Sequence, residues 1–303
     1  MPPISMIKHV TIIGQGAIGT LWAYYLSRAG FKVTLVGRKS LASVLDLQIT
    51  LPNKQQDTIA LDYLAGQLPL EIDLVLVTTK AYQVNDALIP WLGQLTAVPI
   101  VLMHNGMGSI DKLPLTEAHQ ILIATTSHGG LKLANNQVIH TGLGTTSIGS
   151  FQGISHAAGR HIAKRLNQAL PQVQYCEDIT AALWTKLAIN CVINPLTAVN
   201  ECRNGQLSAQ QYQPVIDRVC VEISQVTARL SLNLSYDYLR GLVNEVINNT
   251  AQNYSSMHQD IANQRKTEID FITGYVIEQA RRLNIQVPEN ELLLLEIKRL
   301  EQG

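Results

Sequence analysis

The stretch Ile12–Thr20, IIGQGAIGT, decides how the N-terminal half of this chain folds. Gly14, Gly16 and Gly19 form the pattern G-x-G-x-x-G. The pattern follows the apolar, β-branched run His9–Gly14 (HVTIIG) and leads into Thr20–Gly30 (TLWAYYLSRAG), which reads as a helix closed by Gly30. In a strand–turn–helix setting each glycine has a task. Gly14 permits the tight turn, Gly16 lets a pyrophosphate approach the backbone, and Gly19 lets helix and strand pack closely. The helix start then offers unpaired N–H groups and a partial positive charge to phosphate. A dinucleotide cradle over Gly14, Gln15, Gly16, Ala17, Ile18 and Gly19 is therefore expected.

Outward from this loop, short apolar runs alternate with helical stretches. Lys32–Gly37 (KVTLVG), Asp73–Lys80 (DLVLVTTK), Pro99–Gly106 (PIVLMHNG) and the run ILIATT ending at Thr126 read as strands, with a helix over Tyr82–Leu95. Strands of this kind separated by helices imply a parallel sheet covered on both faces. Val138–Ser150 reads as a hairpin at the sheet edge. Beyond about residue 177 the pattern changes: glycine falls from 16 residues in 1–177 to 4 in 178–303. Long helix-compatible stretches take over, the first of them interrupted at Pro195. The expected class is α/β, an N-terminal Rossmann-type doubly wound sheet followed by an all-α C-terminal domain. The expected domains are 1–177, which carries the dinucleotide loop, and 178–303, which is helical.

Bulk composition narrows the function. Among 303 residues, Lys plus Arg and Asp plus Glu both number 23, so the formal charge is zero. That balance argues against broad electrostatic binding to nucleic acid or to an anionic membrane surface. The four cysteines are widely spaced with no C-x-x-C pair, which suggests free thiols in a reducing compartment and no metal site. No run reaches the roughly 18 apolar residues of a membrane span, and the first residues lack a signal-peptide pattern. A cytoplasmic protein, monomeric or homodimeric, is the expectation.

The end of the second strand speaks to the cofactor. A site for NAD wants an acidic residue there to hold the ribose hydroxyls. This chain has Arg38 and Lys39 in LVGRKS instead. A guanidinium holds a 2′-phosphate by a forked, charge-assisted contact, so Arg38 selects NADPH over NADH.

The other informative segment is Leu183–Ala198, LWTKLAINCVINPLTA. Lys186, Asn190 and Asn194 recur every fourth residue, within about 80° of one another on one helix face. An ammonium and carboxamides among Leu187, Ala188, Ile189, Cys191, Val192 and Ile193 leave little room for a solvated face, and buried polar groups demand partners.

Taken in order, GQGAIG, VTTKAYQV, HNGMG, LWTKLAINCVINPLTA, NYSSMHQD and KTEID resemble the ketopantoate reductase (2-dehydropantoate 2-reductase) family, from Met6 to about Asn290. The resemblance implies an NADPH-binding Rossmann domain, a helical domain and an active site in the cleft between them. The implied reaction is reduction of the small molecule 2-dehydropantoate to (R)-pantoate on the route to pantothenate and coenzyme A. It implies Lys186 as the general acid that supplies a proton to the ketone oxygen, with Glu268 as the active-site glutamate beside it, also counted with the cofactor site. It implies substrate contacts from Asn190, Asn194, Asn253 and Ser256. Lys80 falls near the nicotinamide ribose, and Asn105 at the junction of nicotinamide and substrate. Both lie at carboxyl ends of expected strands, the edge where doubly wound sheets bind ligands. His104 and His128 read as supporting or structural. The Ser127–Gly130 stretch, SHGG, is less bulky than the resemblance leads one to expect. Two other readings are a paralogue that reduces a different 2-oxo acid with NADPH, and a non-catalytic NADPH sensor with no use for Lys186.

Overall fold

The computed structural model describes residues 7–38 and 43–302. Lys39 lies outside the described residues. The chain divides into two compact units, the first made of residues 1–104 and 112–179 and the second of 105–111 and 180–303.

The first unit runs β1 (His9–Ile13), α1 (Ala17–Arg28), β2 (Lys32–Gly37), β3 (Val44–Thr50), β4 (Gln56–Ala65), β5 (Leu74–Val77), α2 (Val84–Leu88), β6 (Pro99–Met103), β7 (Gln120–Thr126), β8 (Gly129–Ala134), β9 (Gln137–Gly142), β10 (Thr146–Gln152), α3 (His156–Ala169) and β11 (Val173–Tyr175). All these strands join one sheet in the order β11-β10-β7-β6-β5-β1-β2-β4-β3-β9-β8. The six central strands, β7-β6-β5-β1-β2-β4, are parallel. Their runs are buried throughout β1 and β5, as sheets covered on both faces require. The chain leaves β1 for β2 on one side and returns to β5 on the other. That reversal makes the carboxyl end of β1 the topological switch point, where open α/β sheets bind ligands.

The sheet is mixed rather than wholly parallel. β3 runs antiparallel to β4, β10 to β7 and β8 to β9. Strands β3 and β4 alternate inward Leu45, Leu47, Ile49, Ile59, Leu61 and Tyr63 with exposed neighbours, the period of a half-buried strand. The hairpin expected over Val138–Ser150 does not form. β9 pairs with β3 and β8, while β10 pairs with β7 and β11, so the two strands lie far apart in the sheet order. The helix expected over Tyr82–Leu95 is only α2, flanked by 3₁₀ turns at Ala81–Gln83 and Ile89–Gln94. Pro90 sits in the first turn of the second, where its missing N–H and ring end an α-helix.

The second unit is helical: α4 (Ile179–Val199), α5 (Gln213–Arg229), α6 (Tyr236–Asn249), α7 (Ser256–Ala262), α8 (Thr273–Arg282) and α9 (Pro288–Leu300). Pro195 does not break α4, which continues through it to Val199. Interior proline costs about 3 kcal/mol or more. Leu187, Ala188, Cys191, Val192, Leu196 and Ala198 are nonetheless buried in this unit's core, and each large aliphatic among them contributes about 1.5–3 kcal/mol. Burial therefore outweighs the proline. α4 is also long and apolar enough to span a bilayer, with a mean hydropathy of 1.2. Much of it lies in the core of the helical unit.

Candidate active site

In the first unit the glycine loop is built against β5. The Gly14 amide donates to the Val36 carbonyl at 3.1 Å, and the Thr78 hydroxyl donates to the Gly14 carbonyl at 3.0 Å. Gly14 has φ +120°, and a Cβ there would stand 2.8 Å from the Thr79 nitrogen. A Cβ at Gly19 would collide with the Gly14 carbonyl and the Thr78 hydroxyl. At Gly16 the nearest atom to a Cβ would be 3.7 Å away, so the exposed backbone there is open to a ligand. Gly16 is also the N-cap of α1. The helix has no side-chain cap and no acid in its first turn, leaving its first N–H groups and positive end for an anion. These residues fit the pyrophosphate of a dinucleotide.

The loop is held from its other side by β8 and the turn after it. The Lys132 ammonium donates to the Gln15 carbonyl, and the Gln15 amide donates to the Asn135 carbonyl at 2.8 Å. Gln15 thus spends its side chain on fixing the loop. Gly130 must be small because a Cβ there would press on the Ala17 methyl at 3.2 Å. That contact accounts for the second glycine of the slight SHGG stretch. Arg38 follows β2 as an exposed residue. It is preceded by Gly37, whose missing Cβ leaves room for the Tyr63 hydroxyl. Lys80 is half-buried just past the end of β5, and its amide donates to the Gln83 side chain at 3.4 Å.

The second unit gathers a different set. On α4, Lys186 and Asn190 are half-buried and Asn194 is buried. Glu268 is only 4% exposed and precedes the 3₁₀ turn Ile269–Phe271, outside any helix. The next α-helix, α8, starts only at Thr273. The Asn105 amide donates to the Glu268 carboxylate at 3.2 Å. Asn105 does not remain with the strand that precedes it, because residues 105–111 belong to the second unit. The glycines of HNGMG explain how. Gly106 and Gly108 have φ of +81° and +86°. A Cβ at Gly106 would strike the Phe271 carbonyl, and one at Gly108 would stand 2.9 Å from the Tyr275 ring. The Met107 amide donates to that same Phe271 carbonyl at 2.8 Å. The loop therefore lies directly on the turn after Glu268.

Burial pushes the Lys186 ammonium down to about 8, and the negative charge of Glu268 opposes that fall. Near neutral pH Lys186 is thus a charged group poised to release its proton. Asn253 and Ser256 are both exposed, before and at the start of α7. Between them the buried Ser255 caps α7 by accepting from the His258 amide at 3.0 Å, and its hydroxyl lies 2.7 Å from that of Thr197 on α4. The Asn194 turn of α4 is tied in this way to the start of α7.

Comparison with known proteins gives the family. Residues 10–153 match the model for "Ketopantoate reductase PanE/ApbA", and residues 178–301 match its C-terminal counterpart. This chain belongs to the ketopantoate reductase family. It is 40% identical to a Vibrio cholerae 2-dehydropantoate 2-reductase, over 97% of this chain and 98% of that one. A Yersinia pestis 2-dehydropantoate 2-reductase is 39% identical, over 96% and 95% respectively. Among solved structures, a probable Bacillus subtilis 2-dehydropantoate 2-reductase superposes with a TM-score of 0.79 at 28% identity, covering 97% of this chain and 100% of that one. A D-mandelate dehydrogenase solved with NADH and anilino(oxo)acetate reaches 0.89 at 21% identity, over 97% and 98%, a likeness of fold. As a ketopantoate reductase family member the protein is an oxidoreductase that uses a nicotinamide cofactor.

Several residues of this family member carry weight that the sequence did not announce. The Thr78 hydroxyl packs against Gly14 and Gly19, and its only sequence signal is a hydroxyl in TTK at a strand end. Lys132 gave none, standing on an edge strand among GGLKLANN. His128 is buried. Its Nδ1 accepts from the Gly144 amide at 3.1 Å and lies 3.4 Å from His140, whose other nitrogen meets the Tyr25 hydroxyl at 2.8 Å. Burial and the neighbouring His140 push His128 down to about 4, so its ring is neutral near pH 7. Among the described residues no group of three or more metal-binding side chains gathers, and all four cysteines are unpaired.

Proposed function

We propose that the protein reduces 2-dehydropantoate to (R)-pantoate with NADPH in the cytoplasm, the first unit binding the cofactor and the second carrying the substrate chemistry. The reduction itself follows from the family and from relatives at 37–40% identity over nearly their whole length. The observation that carries the residue assignment is Lys186, half-buried, drawn down to about 8 and electrostatically coupled to the buried Glu268.

When bound, the nicotinamide supplies the hydride to the ketone carbon. As negative charge grows on the ketone oxygen, the Lys186 ammonium stabilises it and then releases its proton from Nζ to that oxygen. Glu268 keeps Lys186 protonated at neutral pH and, through Asn105, fixes the carboxamide beside it. Asn190 and Asn194 extend the Lys186 face with groups able to donate to and accept from the substrate's hydroxyl and carboxylate. Asn253 and Ser256 supply further polar contacts from the start of α7. For the cofactor, Gly14 to Gly19 take the pyrophosphate, Lys80 the nicotinamide ribose, and Arg38 the 2′-phosphate that distinguishes NADPH.

Lys186→Ala tests this assignment. It is expected to cut kcat by about 10²-fold or more, with NADPH affinity largely kept, as measured by cofactor absorbance and by fluorescence titration. Near-normal turnover would remove Lys186 from the mechanism. A preference for pyruvate or 2-oxoisovalerate over ketopantoate in kcat/KM would transfer the same machinery to another 2-oxo acid.

A further inference from the structure

Glu268 stands just before a short 3₁₀ turn with no hydrogen bond from a capping side chain, a placement that would leave its carboxylate loosely aimed. What holds the segment is the end of the last helix. Glu301 follows α9, and its Oε1 accepts both from the Thr267 amide and from the Thr267 hydroxyl, each at 2.7 Å. The Thr267 oxygen in turn accepts from the Ile269 amide at 3.1 Å, closing a loop around Glu268. On the far side, the Lys298 ammonium donates to Asp270 at 2.6 Å and to Glu301 Oε2 at 3.1 Å. The residue before Glu268 and the residue two after it are thus tied to one helix end.

That helix end is itself anchored. The buried Glu222 of α5 accepts from the amides of Glu289 and Asn290 at 2.8 and 3.0 Å and from the Asn290 side chain at 2.8 Å. These are N–H groups that the first turn of α9 would otherwise leave unpaired. Glu222 caps α9 at its start, and α9 presents Lys298 and Glu301 at its finish. Thr267 is 1% exposed, so its hydroxyl has no water to turn to if Glu301 is removed. Burial alone would raise the Glu301 carboxyl, but Thr267 and Lys298 outweigh it and hold the group below the usual carboxylate range.

We propose that Glu301, assisted by Lys298, is a positioning residue for the reaction, clamping Thr267 and Asp270 so that the Glu268 carboxylate is aimed at Lys186 and Asn105. This rests on the reading of Lys186 and Glu268 given above. Glu301 makes no claim on the substrate; it acts through the backbone on either side of Glu268. Lost positioning therefore weakens the coupling of Glu268 to Lys186, which a general loss of stability elsewhere in the unit does not do.

The test compares Glu301→Ala, Glu301→Gln and Thr267→Val with Glu268→Gln, Lys186→Ala and wild type. The full-length protein is used, and kcat/KM is followed against pH alongside the Lys186 side-chain titration by ¹⁵N NMR. Arg240→Ala, which breaks the 2.7 Å contact with Asp217 between α5 and α6, serves as the stability control. Glu301→Ala is expected to lower the pH at which Lys186 titrates, by as much as about one unit, and so to cut the protonated fraction, and kcat with it, by up to about twofold at pH 7. Glu301→Gln, which keeps an oxygen for Thr267, should recover part of the loss, and Arg240→Ala should leave the titration where it was. The proposal is overturned if Glu301→Ala lowers Tm while the Lys186 titration stays at the wild-type pH. If Lys186→Ala still turns over, or Glu268→Gln leaves the titration unmoved, the assignment beneath the proposal fails with it.

Discussion

Replacing Glu268 by Gln keeps the shape of the side chain and removes one negative charge from beside Lys186. Burial and Glu268 act on Lys186 in opposite directions, and their balance is about 8. A lysine at that value is about nine-tenths protonated at pH 7. An opposite charge within a few ångströms is worth about 1–3 pK units, so the variant should hold Lys186 between about 5 and 7. The sign follows from the role: the acid works only while protonated, so rate is lost as pH rises through the lysine's own value. In wild type, kcat/KM should fall above about pH 8. In Glu268→Gln the fall should begin lower by those units, and the protonated fraction at pH 7 should drop by between about twofold and about a hundredfold. Acidification should restore rate to the variant and not to wild type. Initial rates from the cofactor absorbance, taken from pH 5 to pH 10 with ketopantoate, read this directly. A uniform loss at every pH with the limb still near 8 would refute the argument. It would mean that Glu268 contributes by contact alone.

Other expectations are simpler. Arg38→Ala should weaken NADPH by about tenfold and leave NADH nearly untouched, as isothermal titration would show; equal losses would deny Arg38 the 2′-phosphate. Gly19→Ala forces a methyl into the Gly14 carbonyl. It should lower unfolding free energy by about 1–3 kcal/mol in urea and weaken cofactor binding at the same time. His128 is held well below its unfolded value, so the unfolded chain takes the proton more readily. Its contribution to stability is intact above about pH 6.5 and is lost as pH falls toward about 4. From pH 7 to pH 5 this histidine should account for up to about 2 kcal/mol of lost stability, and His128→Asn should flatten that part of the urea-unfolding profile.

Much of this molecule was legible in its residues, and the reasons differ by element. Gly14, Gly16 and Gly19 declare themselves because each answers a steric demand made within a few residues, and the strand and helix around them have strong periods. The Lys186–Asn190–Asn194 face is legible because a four-residue spacing on an apolar helix is hard to explain otherwise. The strands β9 and β10 were misread because proximity in sequence suggested a hairpin, whereas their partners are β3 and β8 for one and β7 and β11 for the other. Local propensity holds no record of such distant pairing. Pro195 misled in the opposite way, since a breaker's local penalty says nothing of the core that surrounds α4. Glu301 was invisible for a related reason: an acid near the chain end looks solvated until Thr267, 34 residues away, is found against it.

The seven residues 105–111 give the chain an unusual order of assembly. Asn105 is made 163 residues ahead of Glu268, its hydrogen-bonding partner, yet the whole segment belongs to that unit rather than to the sheet strands on either side of it. A ribosome therefore delivers a sheet with one loop still waiting for Phe271 and Tyr275 to be translated. For protein engineers, no single cut separates the two units intact. A chimera joined after Ile179 would graft one relative's Glu268 onto another's Asn105. Exchanging the helical half between relatives means carrying HNGMG along with it.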